Sequence, residues 1–187
     1  MSLIRQSLLV LTLLSCMHNA SAVSLRPLDI AQLTTQAELV IHGRVISQEV
    51  TLDETSQRVV TLTTFEVIDT LKGTTGETHR IKQLGGHLSG SDTVHRVPGV
   101  PRFVDGEELI VFLPAVSRLG FSSPIGLTQG NYRITRKHGS ATVNARGMTA
   151  SSHTAAKVVT GNADKQVGPR VSVDNFKNLI RTLADER

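Results

Sequence analysis

The side chains best equipped for chemistry gather in one Gly-, Ser- and Pro-rich stretch, Gly85 to Gly106. Two histidines of this stretch, His87 and His95, could hold zinc if a third ligand such as Asp92 joined them. The spacing His87…Asp92…His95 matches no established zinc pattern, so they read as solvated loop histidines. Gly86-His87-Leu88-Ser89-Gly90 sets its serine one residue off the G-x-S-x-G elbow, and no helix start follows. Asp105, Glu107 and Glu108 enter a strand, where carboxylates are expected to be solvated rather than split into acid and base by a pocket. Gly85-Gly86 has neither a lysine nor a helix behind it to make a phosphate loop. No catalytic residue, metal or cofactor is expected. Recognition remains. Long loops in compact chains are functional or mobile, and His87, Arg96, Arg102 and Phe103 suit an interface with another protein.

Charge gives a second surface. Residues 23–108 carry 8 Lys and Arg against 12 Asp and Glu, whereas residues 109–170 carry 8 against 1. Either the halves neutralise each other inside one fold, or the basic half meets an acidic partner or anionic lipid. Arg133, Arg136 and Lys137 mark the basic segment. The absence of Trp, with one Tyr and five Phe, leaves few stacking platforms, so nucleic-acid binding is not expected.

The elements that must position these groups follow from periodicity. Asp29 caps a short helix, with Gln32 at the capping-box position and Leu28 and Leu33 as a staple. From Leu39 the period changes to two, and Gly43 inside that strand marks a bulge or bend. Val59 to Ile68 is a β-branched run ending at Lys72-Gly73, and Glu77 to Leu84 alternates again. Glu107 to Leu113 reads as the most buried strand. Ile125 to Thr135 and Ala141 to Ala145 form a hairpin turning at Lys137-His138-Gly139-Ser140. Residues 147–170 read as a flexible linker, and residues 171–187 as an amphipathic helix capped by Ser172. The chain is therefore expected to be mainly β: a small OB-like antiparallel barrel over residues 23–146, with a short N-terminal helix and a C-terminal amphipathic helix.

Residues 1–22 read as an export signal. Arg5 gives the positive end, Leu8 to Leu14 the apolar run, and Ala20-Ser21-Ala22 the cleavage site, cut between Ala22 and Val23. Leu13-Leu14-Ser15-Cys16 offers a second reading, a lipobox with Cys16 acylated. No segment approaches the ~20 apolar residues of a membrane span. Cys16 is the one cysteine, so a chain cut after Ala22 has no thiol and no disulfide. The expected location is the periplasm or the cell exterior.

The runs Leu25-Arg26-Pro27-Leu28, Ala37 to Val45, Leu71-Lys72-Gly73, Leu84-Gly85-Gly86, Val97 to Phe103 and Gly106-Glu107-Glu108, followed by Gly126-Leu127 with Gln129-Gly130, resemble a family of small exported bacterial proteins of unknown function. That resemblance implies export and no particular activity. Ala37 to Ile41, Thr61 to Gly73 and Gly106 to Leu113 also resemble the OB-fold of netrin-like modules and tissue inhibitors of metalloproteinases. This second likeness implies the barrel, whereas the zinc-chelating N-terminal cysteine and the disulfides of those inhibitors have no counterpart here. The resulting expectation is a non-enzymatic module that binds an envelope or secreted protein. The alternative is an inhibitor or folding partner of an exported metalloprotease, acting through the free amine of Val23.

Overall fold

The computed structural model describes residues 26–144 and 170–186. The expected leader, with Cys16 and the Ala22/Val23 cut, lies outside them, as does most of the expected linker. Helix α1 (Ile30–Gln36) starts as its sequence dictates. The Asp29 carboxylate accepts from the Gln32 N–H at 2.7 Å, and the Gln32 side chain accepts from the Asp29 N–H at 3.1 Å. Its far end is closed by Lys72, which donates to the carbonyls of Thr34 and Ala37 at 2.8 and 2.5 Å. A cation at the carbonyl end of a helix satisfies orphan acceptors and opposes the dipole.

Strands β1 (Leu39–Asp53) and β2 (Arg58–Lys72) form a hairpin of two 15-residue strands. β3 (Thr78–Leu84) lies on the outer side of β2. β4 (Gly86–His87) and β5 (Val94–His95) make a two-residue ladder of their own. β6 (Glu108–Leu113) pairs with the first six residues of β1 only, Leu39 to Arg44. β7 (Asn131–Lys137), β8 (Ser140–Asn144) and β9 (Arg170–Ser172) complete an antiparallel sheet in the order β3-β2-β1-β6-β7-β8-β9. The chain is mainly β. Ser172 caps the closing helix α2 (Val173–Asp185) by accepting from the Asn175 N–H at 3.2 Å. Among the described residues no helix is long and apolar enough to cross a membrane.

Alternation along β1 feeds two cores. Leu39, Ile41 and Val45 pack with Phe65, Ile81, Phe103, Leu109 and Val111 on one side of the sheet. Val40 packs with Ile110, Phe112, Tyr132 and Val143 on the other, beneath α1 and α2. Both faces of this end of the hairpin are buried, and each large side chain withdrawn from water contributes about 1.5–3 kcal/mol. The bend expected at Gly43 is present as a register shift against β2 between His42 and Gly43. A Cβ there would stand 3.0 Å from the Glu66 carbonyl.

Two boundaries need correction. Residues 125–130, expected to begin the hairpin, instead form a turn. The Gly130 N–H returns to the Ile125 carbonyl at 2.9 Å, and Leu127 takes a φ of 60°. The Gln129 side chain then clips the N-terminal segment, accepting from the Leu28 N–H at 2.7 Å and donating to the Arg26 carbonyl at 3.2 Å. Arg170, Val171 and Ser172, assigned to the end of the linker and the start of the helix, form β9 against β8. Val171 is apolar and buried, so it belongs with the sheet.

Candidate functional site

The two ends of the β1–β2 hairpin differ because β6 is short. β1 keeps only β2 as a sheet partner beyond Val45, whose backbone still bonds Glu107 and Gly106 at 2.9 and 2.8 Å. Beyond that point Gln48, Val50 and Leu52, two residues apart, share one face with their β2 partners Val59 and Thr61. The chain between β3 and β6 folds over that face and leaves a groove made of two contiguous clefts, about 310 and 650 Å³. The clefts share Leu84, Gly85, Val94, His95 and Val97.

Gly85 and Gly86 allow the fold-over. Their φ values are 91° and 144°, and a Cβ would meet the His95 carbonyl at 2.5 Å or Val50 Cγ1 at 2.6 Å. No side chain fits so close to backbone at positive φ. Thr61 fixes the approach by donating its hydroxyl to the Gly85 carbonyl at 2.7 Å.

Loop residues proposed from sequence divide into two groups. His87, Arg96 and Arg102 are exposed and line the groove. Phe103 is corrected: at 5 % exposure it sits in the core, its ring 5.3 Å from that of Phe65 at an interplanar angle of 84°. Edge-to-face packing of two rings is favourable beyond the area it buries, so Phe103 anchors the loop and offers little to a partner. The buried Gln83 lies in the groove wall, with its amide 3.5 Å from the Pro101 carbonyl. His87 Nε2 lies 2.8 Å from the Ser91 carbonyl, within the loop. Ser89 and Asp92 are exposed, and among the described residues no three His, Cys, Asp or Glu side chains gather to hold a metal.

Of the carboxylates expected to be solvated, Asp105 is exposed, but Glu107 and Glu108 are not. Glu107 and Glu108 side chains are each 11 % exposed and are paired across the sheet with the basic segment. Glu107 meets Arg133, and Glu108 accepts from Arg136 Nε at 3.0 Å. Arg133 and Arg136 remain exposed on the basic segment, and both guanidiniums serve the acidic half of the same chain. Lys137, at the exposed end of β7, has no carboxylate partner among the described residues.

Sequence reasoning missed His42. It is 4 % exposed, with Nε2 2.8 Å from Glu108 Oε1, and its Nδ1 has no partner among the described residues. Burial pushes the His42 imidazole below its ordinary pKa, against the opposing pull of Glu108. The hydrogen bond from Arg136, with that from His42, holds the Glu108 carboxyl down to about 2. On the neighbouring strand Asp69 is gripped by Lys177 and by Arg181 at 2.7 Å, both from α2. The signal was available in the strand pattern. His42 follows Val40 on one face of β1, and Glu108 precedes Ile110 and Phe112 on one face of β6.

No family model, curated protein or solved structure matches the chain. The site therefore has to be read from its own chemistry. Its contents are unusual for this part of the sequence. Arg58, Arg96 and Arg102 line the groove together with His87 and His95, while no Asp or Glu does. Such a surface can bind and orient a ligand through cations, side-chain amides and aliphatic contacts.

Proposed function

We propose that the chain is an exported, non-enzymatic β-module whose open groove binds another envelope or secreted protein. Export rests on the leader read in residues 1–22, in keeping with the resemblance to small exported bacterial proteins. An OB-like barrel is the finer reading of the fold. It is supported by the bulged β1–β2 hairpin and by one backbone bond from the Ser122 N–H to the Lys82 carbonyl, 3.1 Å, on the β3 edge.

One observation carries the binding reading. Leu52, Val94 and Val97 remain 49, 43 and 39 % exposed along a concave surface fixed by core packing at Phe103. Aliphatic side chains grouped in a rigid groove and rimmed by polar groups mark an interaction site. The basic hairpin is the weaker candidate, because two of its three cations are already paired.

A photo-crosslinking residue at Val97, compared with one at Lys137, tests the assignment in envelope preparations. A discrete protein adduct from position 97 and none from position 137 is expected. Adducts from position 137 alone would move the interface to the hairpin. Silence at both positions would end the binding reading.

A further inference from the structure

Resting on that reading, we infer that the groove is built for an acidic, aliphatic protein segment, with carboxylates of the partner meeting Arg58 and Arg96 on either side of Leu52, Val94 and Val97. Residues 23–108 carry four more carboxylates than Lys and Arg (12 against 8), so a random surface drawn from them would be net acidic. The groove is drawn wholly from these residues and contains three arginines, two histidines and no carboxylate. Acidic groups close in sequence are diverted elsewhere. Asp53 accepts from Lys82 at 2.8 Å, and Glu107 and Glu108 take Arg133 and Arg136; Asp105 stays outside the lining but accepts from the groove residue Gln48 at 3.2 Å.

Among the described residues no carboxylate pairs with Arg58, Arg96 or Arg102. Their planar forks match carboxylate geometry and remain available to a partner. The apolar part decides between anionic partners. Leu52, Val94 and Val97 line a cleft, whereas residues that insert into a bilayer must stand proud of the surface. A concave aliphatic strip with cations at its rim fits an extended chain that alternates aliphatic and acidic side chains. Electrostatic complementarity of this kind sets partner choice and association rate more than total affinity.

Selection of random twelve-residue peptides displayed on phage, against the immobilised chain, tests the inference. Selected peptides are expected to be enriched in Asp and Glu alongside Leu, Ile and Val, relative to the unselected library. A selected peptide should bind about tenfold more weakly to the Arg58→Glu/Arg96→Glu double variant, where two exposed attractions become repulsions. Its affinity should also fall when salt is raised about tenfold. If the double reversal fails to fold by circular dichroism, Arg58→Gln/Arg96→Gln makes the same test with a smaller loss. Peptides without acidic enrichment, no selectable peptide, or phosphatidylglycerol vesicles captured in preference to peptides would each overturn the inference. If the position-97 adduct persists beside any of these results, groove binding stands and only the acidic-partner assignment falls.

Discussion

The β1–β2 hairpin handles charge in opposite ways at its two ends. Where β6 and α2 cover it, His42, Glu108, Arg136, Asp69, Lys177 and Arg181 form pairs that cross from strand to strand and from sheet to helix. At the other end Asp53, opposite Arg58 in the ladder, accepts from Lys82 at 2.8 Å, while Arg58, like Arg96 of the overlying loop, forms no ion pair with a described carboxylate and lies beside aliphatic groups that are still wet. Charges that are paired and partly dry act on folding, because removing one partner strands the other. Charges left solvated beside apolar surface add almost nothing to stability, so they can serve recognition at no structural cost. On the proposed reading one hairpin divides into a folding end and a binding end, and the division falls where the pairing with β6 ends at Arg44.

The sharpest way to break this comparison is to unfix the groove from the core. Phe103→Ala should cost about 3–5 kcal/mol in urea unfolding, because it removes a buried ring that packs edge-to-face on Phe65. A loss under about 1 kcal/mol would mean that the loop lies on the sheet as a loose strap and that the groove has no fixed shape.

Next in size is the folding end. Glu108→Ala removes the acceptor shared by His42 and Arg136, and hydrogen bonds to charged groups contribute about 1.5–3 kcal/mol each. A loss of about 2 kcal/mol or more is expected from chemical denaturation. A neutral outcome would show that water replaces the carboxylate and that the cluster is no more than surface.

The pH dependence probes the paired charges without altering the groove. The His42 imidazole lies below its ordinary pKa in the folded chain, so below pH 6.5 the unfolded chain takes up that proton more readily. Stability should therefore be complete above 6.5 and fall as the pH drops through the folded value. Glu108 adds a second loss, absent above its ordinary 4.5 and complete near its folded value of about 2, and Asp53, held down to about 2 by Lys82 and Ser56, adds to the same stage. Urea midpoints taken from pH 8 down to pH 3 should decline in these two stages. His42→Gln, which keeps a donor toward Glu108 but cannot ionise, should shrink the upper stage to the part contributed by His79, whose imidazole burial also holds below its ordinary pKa. An upper stage that survives this change undiminished belongs to another histidine.

Much of this architecture was legible one element at a time. Asp29 with Gln32, Ser172, and the turn at His138 and Gly139 (φ 48° and 78°) are local signals, and each is used as its residues require. The failures are long-range. Glu108 meets His42 across 66 residues and Arg136 across 28. Alternation shows which face a side chain occupies and says nothing of what lies opposite, so these carboxylates looked solvated. Phe103 looked like an interface residue for the same reason, since a lone aromatic in a polar loop anchors inward or binds outward with the same local sequence. The groove was half legible. His87, Arg96 and Arg102 were chosen by type within the long loop, but Leu52 and Arg58 lie on the hairpin and join them only after the loop folds back at Gly85-Gly86.

The smallest expected effect makes the comparison most exact. Arg58→Glu/Arg96→Glu should change unfolding free energy by no more than about 0.5 kcal/mol, the usual range for exposed positions without partners. Arg136→Glu, also an exposed arginine on a strand, should cost distinctly more, because it sets a carboxylate against Glu108 and takes away the group that holds Glu108 ionised. The two variants alter the same exposed residue type, Arg58 on β2 and Arg96 in the loop against Arg136 on β7, and are chosen for what the guanidinium faces. Equal losses would show that Arg58 and Arg96 already have folded-state partners and are not reserved for another chain. A clear gap, with the groove variant as stable as the parent, would let its loss of peptide affinity be read as recognition alone.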